Sequence, residues 1–184
     1  MRHKLFYLLV AFATLVFTSC GPTTYVLRGN YPATNSIETT TSYDAVWNNV
    51  IDFFAMNNLP IAVLEKDSGI IVASNVNIGE SLVTMEDENG RIMNQSAWFV
   101  MPYRYKNNGW KCVGNKARCT FNVRVRKVDE TKTFVSINLG GIQGIRVLEG
   151  LNTLTFQKMY MEQETAEKCV STGMFERDLL NLFK

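Results

Sequence analysis

The sequence predicts a single α+β domain in which an antiparallel sheet carries helices packed on one face. Three observations support this prediction. An amphipathic helical pattern comes early in the chain, strand-like alternation broken by turn signals fills the middle, and a second helical pattern closes it. Strands and helices do not alternate regularly, so the strands are expected to pair as antiparallel hairpins. About 165 residues remain after a predicted signal segment, which suits one hydrophobic core.

The first element is an amphipathic helix within the stretch TTSYDAVWNNVIDFFAMNN. Apolar residues recur at steps of three and four from Val46 to Phe54, and polar residues occupy the opposite side. Ser42 or Thr41 can accept the free N–H groups of the first turn. Asn57, Asn58 and Pro60 are expected to end this helix.

A hairpin is predicted next, from β-rich runs at residues 60–66 and 70–74 that are separated by a turn containing Gly69. Residues 75–115 give weaker signals. Strands are expected on either side of the Asn89-Gly90 turn, and AWFVMPYRY, residues 97–105, could be a strand that Pro102 breaks.

A second antiparallel pair is predicted from residues 118–128 and 133–139. In the first of these runs Cys119, Phe121, Val123 and Val125 point to the core, while Arg118, Arg124 and Arg126 point to solvent. The GGIQG stretch at residues 140–144 is expected to be a bulge or loop. A further strand is predicted within residues 154–161. The chain closes with a helix whose apolar stripe is Phe175, Leu179, Leu182 and Phe183.

The N-terminal segment has the pattern of a secretory signal. Arg2 and Lys4 precede an uncharged run, residues 5–17, which is too short to cross a bilayer as a helix. The sequence Phe17-Thr18-Ser19-Cys20 resembles the bacterial lipoprotein signal, in which small residues precede a lipidated cysteine. We therefore expect residues 1–19 to be a signal peptide, Cys20 to be the acylated residue, residues 20–40 to be a tether and residues 41–184 to be the domain.

The resemblance to the lipoprotein signal also implies a location. The membrane partner is the lipid bilayer that holds the acylated Cys20, because several acyl chains make such an attachment stable. Gly21 replaces the acidic residue that retains enterobacterial lipoproteins at the inner membrane. The expected location is therefore the cell envelope, at the periplasmic face of the outer membrane.

Composition excludes several function classes. The only histidine, His3, lies in the predicted signal peptide, so the mature chain has no imidazole for serine or cysteine hydrolase chemistry or for histidine-containing zinc sites. The mature chain carries equal numbers of basic and acidic residues, and such a charge balance does not attract nucleic acid. No cofactor, metal or nucleic-acid partner is predicted, and the protein is not expected to be an enzyme.

Three cysteines remain after Cys20. An oxidising compartment favours one disulfide and one spare thiol among Cys112, Cys119 and Cys169. Cys112 and Cys119 have a hairpin-like separation, and Cys169 could bond with either, so three pairings stay open. A zinc site is disfavoured because no C-x-x-C pair occurs.

A basic segment with interleaved aromatic residues is the candidate binding surface. No acidic residue occurs between residues 89 and 128, and the candidate binding residues are Arg118, Arg124, Arg126, Trp98 and Trp110. Such a surface suits anionic lipid headgroups, lipopolysaccharide phosphate or an acidic envelope protein. The alternative is a solvated sheet face whose charges pair with carboxylates elsewhere.

The stretch SYDAVWNNVIDFFAMNNLPIAVLEKDSGIIVAS, residues 42–74, resembles the helix-grip modules of the outer-membrane assembly lipoprotein C family. The shared features are a helix carrying Trp47, a short turn into a strand, and an Asp67-x-Gly69 hairpin. The closing CVSTGMFERDLL is similar to the tail of uncharacterised Bacteroidetes lipoproteins. The resemblance implies a helix-grip-like fold and one module where the assembly family carries two.

The expected function is therefore non-enzymatic binding or scaffolding by a membrane-tethered lipoprotein. The first alternative is an anionic lipid, headgroup or glycan binder that uses the basic sheet face. A glycan enzyme with paired carboxylates is a further alternative, because that chemistry needs no histidine.

Overall fold

The computed structural model describes residues 26–103, 110–165 and 167–184, together with the backbone of 106–107. The predicted class is confirmed: the described residues form one α+β fold, 47% of them in strands that are mostly antiparallel, with two helices. Residues 1–19 and Cys20, which carry the signal and lipidation predictions, lie outside the described residues. In the described part, no helix has the length and apolarity needed to cross a bilayer.

The elements follow one another as one strand, one long helix, nine more strands and a short helix within the described residues. Their bounds are β1 Ser36–Thr39, α1 Tyr43–Met56, β2 Val63–Glu65, β3 Ile70–Ile78, β4 Val83–Glu86, β5 Phe99–Pro102, β6 Lys106–Asn107, β7 Trp110–Lys127, β8 Thr133–Leu151, β9 Lys158–Glu164, β10 Val170–Ser171 and α2 Met174–Leu180. Short 3₁₀ turns occupy Glu80–Leu82 and Asn181–Phe183.

The main sheet is built around one long hairpin. Strands β7 and β8 contain 18 and 19 residues, and the sheet order is β1-β8-β7-β3-β2, with β6 beside β7 and β9 beside β8. A second, three-stranded sheet has the order β10-β5-β4. Its strands β4 and β5 run parallel, which the sequence did not predict.

A bulge divides the long hairpin into two parts. Arg118 pairs with Gln143 and Thr120 pairs with Gly140, so two residues of β8 face one of β7. We call residues 120–127 of β7 and 133–140 of β8 the helix-backed half. We call residues 110–118 of β7, residues 143–151 of β8 and β9 the arm.

The helix-backed half is stabilised by apolar packing. Val46, Val50 and Phe54 of α1 are fully buried, as are Phe175 and Leu179 of α2. The centroid of the Phe175 ring lies 4.4 Å from the ring centroid of Phe121 on β7 and 5.7 Å from that of Phe53 on α1. Both helices therefore share one core with the inner face of the sheet.

The arm is held against the small sheet by a different kind of contact. Arg146 of β8 is 1% exposed, and its Nη1 donates to Asn115 Oδ1 at 2.7 Å. Its Nε donates to Glu167 Oε2 at 3.2 Å, and its Nη2 bonds the Pro102 carbonyl and the same carboxylate. One buried guanidinium thus joins β5, β7, β8 and the segment before β10.

Several predicted elements are confirmed. The α1 helix begins after Ser42, whose hydroxyl accepts from the Ala45 N–H at 3.4 Å. The β2–β3 hairpin turns at Gly69, which has a φ of +67°. The GGIQG stretch lies inside β8 and contains the bulge, so it is not a separate loop.

Other boundaries differ from the predictions. β7 and β8 are far longer than residues 118–128 and 133–139, and β9 starts at Lys158, four residues after the beginning of the predicted 154–161 range. Leu182 is 46% exposed and so leaves the predicted stripe, because the last turn is a tighter 3₁₀ turn that rotates it outward. Its neighbours Leu180 and Phe183 are buried instead.

The predicted tether, residues 20–40, contains ordered structure in its described part. Strand β1 pairs with β8 from Ser36 to Thr39, so the sheet extends upstream of residue 41. The preceding residues form a strap in which the backbone N–H groups of Arg28 and Gly29 donate to the Glu86 carboxylate.

Candidate functional site

The outer face of β7 brings together the three arginines predicted from the alternation. Arg118, Arg124 and Arg126 all point away from the core, while Cys119, Phe121, Val123 and Val125 are buried. Arg124 and Arg126 are two residues apart, so they lie side by side, roughly 7 Å apart along the strand. Arg118 lies six residues away, on the arm.

Ion pairs neutralise the arm end of this face. Lys116 Nζ lies 2.6 Å from Glu162 Oε1, and Arg118 Nη1 lies 3.1 Å from Glu164 Oε1. The hydrogen bond from Lys116 to Glu162 raises the pKa of that lysine. Both carboxylates belong to β9, so this end of the face is the solvated, charge-paired surface that was the alternative prediction.

The helix-backed end of the face is different. Arg124 and Arg126 take part in no ion pair within the described residues. The Arg126 guanidinium carbon lies 5.3 Å from the centroid of the half-buried Phe134 ring, which is a cation–π distance. Two unneutralised arginines next to an aromatic ring can bind an anionic group. We call Arg124, Arg126 and Phe134 the arginine patch.

A groove of about 710 Å³ opens beside the arginine patch. It lies between the start of α1, the β2–β3 turn and the end of β7, and it contains one more cation than carboxylates. Two of its carboxylates are ion-paired: Asp44 with Lys66 at 2.6 Å, and Glu130 with Lys127 at 3.1 Å. The charged residues that line it are Asp44, Lys66, Asp67, Arg124, Arg126, Lys127 and Glu130.

The groove is shaped by Gly69 and Tyr43. The Gly69 carbonyl accepts from the Val125 N–H at 2.8 Å, and a Cβ at position 69 would lie 1.8 Å from the Val125 oxygen. Only glycine fits this approach of the turn to β7. The Tyr43 hydroxyl donates to the Lys66 carbonyl, and burial raises the pKa of Tyr43.

The two predicted tryptophans are not part of this surface. Trp98 is 4% exposed, and its ring lies 5.0 Å from Phe175 in the core, because the small sheet carries it across the inner face. Trp110 lies over Gly150 on the arm, where a Cβ would approach its ring to 2.5 Å. A bulge between Cys112 and Gly114 places Trp110 on the face opposite Arg118. The predicted aromatic-lined basic surface is therefore wrong in its aromatic residues.

The three cysteines are free thiols in the structure, so the predicted disulfide is absent among them. Cys112 and Cys119 lie on the same strand, seven residues and therefore about 23 Å apart, which excludes their pairing. Burial, with the nearby Glu176 carboxylate, raises the pKa of Cys119 to about 12. Burial and Cys119 raise that of Cys169 to about 12. Such thiols stay protonated and unreactive.

The described residues also contain no group of three or more histidine, cysteine, aspartate or glutamate side chains placed to hold a metal ion. The Glu86 carboxylate of β4 binds the strap. Burial opposes its ionisation, but hydrogen bonds from the Tyr31 hydroxyl and from the Arg28 and Gly29 N–H groups outweigh burial and lower the pKa of Glu86. These contacts fix the strap and do not form an open site.

The end of the arm is a second surface, which the sequence analysis missed. Residues 150–157, which we call the tip, join β8 to β9 and carry no charged side chain. Leu154 and Phe156 are 89% and 78% exposed, and Leu151 is also exposed. A strand was expected within residues 154–161, which overlaps the second half of the tip. The uncharged run GLNTLTFQ, with its Asn-Thr turn residues, was the available signal.

Comparison of the chain with protein-family models, with curated proteins and with solved structures found no match.

Proposed function

We propose that the mature protein is a non-enzymatic, lipid-anchored binding module of the bacterial cell envelope, held at the outer membrane through acylated Cys20. Its arginine patch and the adjoining groove bind an anionic group on an envelope partner. The signal pattern and the small residues before Cys20 support the anchor. The helix-grip resemblance of residues 42–74 is part of this proposal, and the packing of both helices on the same core supports it.

The single observation that carries the binding proposal is the contrast along β7. Lys116, Arg118 and Lys127 each have a carboxylate within 3.1 Å, whereas Arg124 and Arg126 have none in the described chain. Exposed ion pairs contribute little to stability, so two unpaired arginines side by side are not needed for the fold. They remain available for a partner that supplies the negative charge.

The binding test is a pair of matched double variants. Arg124→Gln with Arg126→Gln removes two positive charges from the outer face of β7, and Lys116→Gln with Arg118→Gln removes two from the same face of the same strand. Partners are crosslinked in intact envelopes and co-purified with the protein. We expect the first variant to lose the crosslinked partner severalfold and the second to retain it.

Equal recovery of partners with both variants would contradict the binding proposal. The anchor is tested separately, by mass spectrometry of the peptide that begins at residue 20 and by fractionation of Cys20→Ser. A bare thiol at Cys20, on protein that washes off membranes, would contradict the anchor.

A second candidate function is recognition of an anionic lipid or glycan headgroup by the same patch. The spacing of Arg124 and Arg126 favours it, because two adjacent guanidiniums can bind different oxygens of one phosphate. Binding of the protein to lipopolysaccharide, with inorganic phosphate as competitor, distinguishes it from a protein partner. Binding that survives the double Arg→Gln change would remove this candidate.

A further inference from the structure

We propose that the tip, residues 150–157, is a second membrane contact that inserts its apolar side chains into the bilayer to which Cys20 is attached. This inference rests on the proposed function, since it takes the lipid anchor as given. It assigns to the arm a role that the arginine patch does not have: it sets the orientation of the domain on the membrane.

The first argument is that the tip and the start of the described chain lie at the same end of the molecule. The Met101 side chain of β5 lies against Gly144 of β8, and the next carbonyl of β5, that of Pro102, accepts from Arg146 of β8. Residue numbers therefore increase in the same direction along both strands. Glu86 pairs with Pro102. The strap, bound to Glu86, is therefore level with Arg146, near the distal end of the hairpin.

The second argument concerns distances. The tip begins four to five residues beyond Arg146 along β8, which is roughly 15 Å. Val26, where the described chain begins, is six residues after Cys20, and six residue steps can span at most about 22 Å. An acyl group on Cys20 therefore keeps the strap end of the domain, and with it the tip, within reach of the bilayer surface.

The third argument is that the tip is an ordered turn. The Asn152 carboxamide oxygen accepts from the Leu154 N–H at 2.9 Å and from the Thr155 N–H at 3.2 Å, and the Phe156 N–H donates to the Asn152 carbonyl at 2.8 Å. Phe156 has a φ of +54°, an unfavourable conformation for an aromatic residue. The turn thus holds Leu154 and Phe156 exposed without burying either of them within the fold.

The fourth argument is the composition around the tip, which suits a membrane interface. Tyr160 on β9 is 63% exposed, and tyrosine is enriched at the headgroup level of bilayers. Lys111 on β7 and Lys158 on β9 are exposed near the base of the tip, and Lys158 pairs with Glu149 at 3.1 Å, so these three side chains together leave one positive charge. A positive charge next to an apolar tip favours an anionic lipid surface. The tip carries no groove or charge pattern that would specify a protein partner.

The test measures the depth of a fluorescent label in vesicles. The acylated protein, with a thiol-reactive NBD group on Thr155→Cys, is reconstituted into phosphatidylethanolamine and phosphatidylglycerol vesicles that contain doxyl-labelled lipid. The control places the same label on Thr131→Cys, another exposed threonine in the β7–β8 turn at the opposite end of the hairpin. The described native thiols are buried, so the introduced cysteine is the one labelled.

We expect the lipid quencher to reduce the fluorescence of the label at residue 155 severalfold more than that of the label at residue 131. Leu154→Ser with Phe156→Ser should remove that difference while leaving flotation with the vesicles intact. Met56→Ser with Leu182→Ser, which also removes two exposed apolar side chains but far from the tip, should leave it unchanged.

Any of three results would overturn the inference. Equal quenching of both labels on protein that floats with the vesicles removes the tip contact and leaves the anchor standing. Tip-dependent dimerisation without quenching assigns the tip to a second copy of the chain. Protein that carries no acyl group and does not float contradicts the proposed function instead. If vesicles are then added to that protein and the fluorescence of the Thr155 label is not quenched, the tip contact is contradicted as well.

Discussion

The helix-backed half and the arm are made of the same two strands, yet they are stabilised by different interactions. In the helix-backed half, Phe121 is fully buried among Trp98, Phe99 and Phe175. In the arm, the largest fully buried side chain is that of Arg146, and every residue of β9 is exposed. The structure therefore places its apolar core at one end and an ionic connection at the other.

This difference separates a part that defines the fold from a part that is free to contact other molecules. Exposed apolar side chains contribute nothing to the helix-backed core, so the exposed Leu154 and Phe156 of the arm are better explained by a role outside the domain. The arginine patch lies on the outer face of the helix-backed half, where a rigid core positions it. The changes below test the contrast, from the largest expected effect to the smallest.

Phe121→Ala should have the largest effect on stability. Deleting a fully buried aromatic ring costs about 3–5 kcal/mol of the free energy of unfolding, because it removes apolar burial and leaves a cavity. Chemical denaturation of the full chain measures the loss. Asn122→Ala, on the exposed face of the same strand, is the control and should change stability by less than about 0.5 kcal/mol.

Arg146→Met should destabilise the arm in particular. Removing the guanidinium leaves the Glu167 carboxylate, whose side chain is 10% exposed, without its buried partner. The expected cost is about 3 kcal/mol, at the low end for a broken buried pair, since some water reaches Glu167. Hydrogen exchange should show faster exchange in β9 than in α1. Equal exchange in both elements would show that arm and helix-backed half unfold as one unit.

A second change at Glu167 sharpens that test. Adding Glu167→Gln to Arg146→Met removes the negative charge that Arg146 had balanced and should recover part of the lost stability. No recovery would indicate that the packing of Arg146, and not its charge, connects the arm to the small sheet.

Glu86→Gln should weaken the strap with a recognisable pH dependence. The pKa of Glu86 is lowered in the folded state, so its contribution to stability is present above the ordinary value of 4.5 and is lost as the pH falls through the lowered pKa. The wild type should therefore lose more stability on acidification than the variant. Hydrogen exchange of the Arg28 and Gly29 N–H groups measures this effect at the strap. Parallel pH profiles of the two proteins would contradict the prediction.

Arg118→Ala should have the smallest effect. Its ion pair with Glu164 is exposed, and such pairs contribute about 0–1 kcal/mol. Thermal unfolding at low and high salt measures the change, and the small difference should shrink further in high salt because mobile ions screen exposed charges. A large loss of stability would show that the ion pair between Arg118 on β7 and Glu164 on β9 stabilises the arm.

The elements with local signals could be predicted from the sequence, and those with distant partners could not. The α1 helix has its cap and its apolar period within its own residues, and the β2–β3 hairpin has its turn glycine. The parallel pairing of β4 and β5 depends on residues far apart in sequence, so no local pattern indicates it. The alternation of β7 predicted which face Arg124 and Arg126 occupy, but it could not show which arginines find carboxylates on β9.

The sequence by itself determined the α+β class and the facing of residues along β7, because hydropathy and period are local properties. The signal before Cys20 is a prediction from the same kind of local pattern. Only the tertiary structure decided that Trp98 is buried, that Arg146 joins two sheets and that the tip is exposed. These outcomes depend on which distant segment covers a given surface. The pairing of residues 110–118 with 143–151 and β9 creates the arm. At the other end, Arg124 and Arg126 take part in no ion pair with any residue that the structure describes.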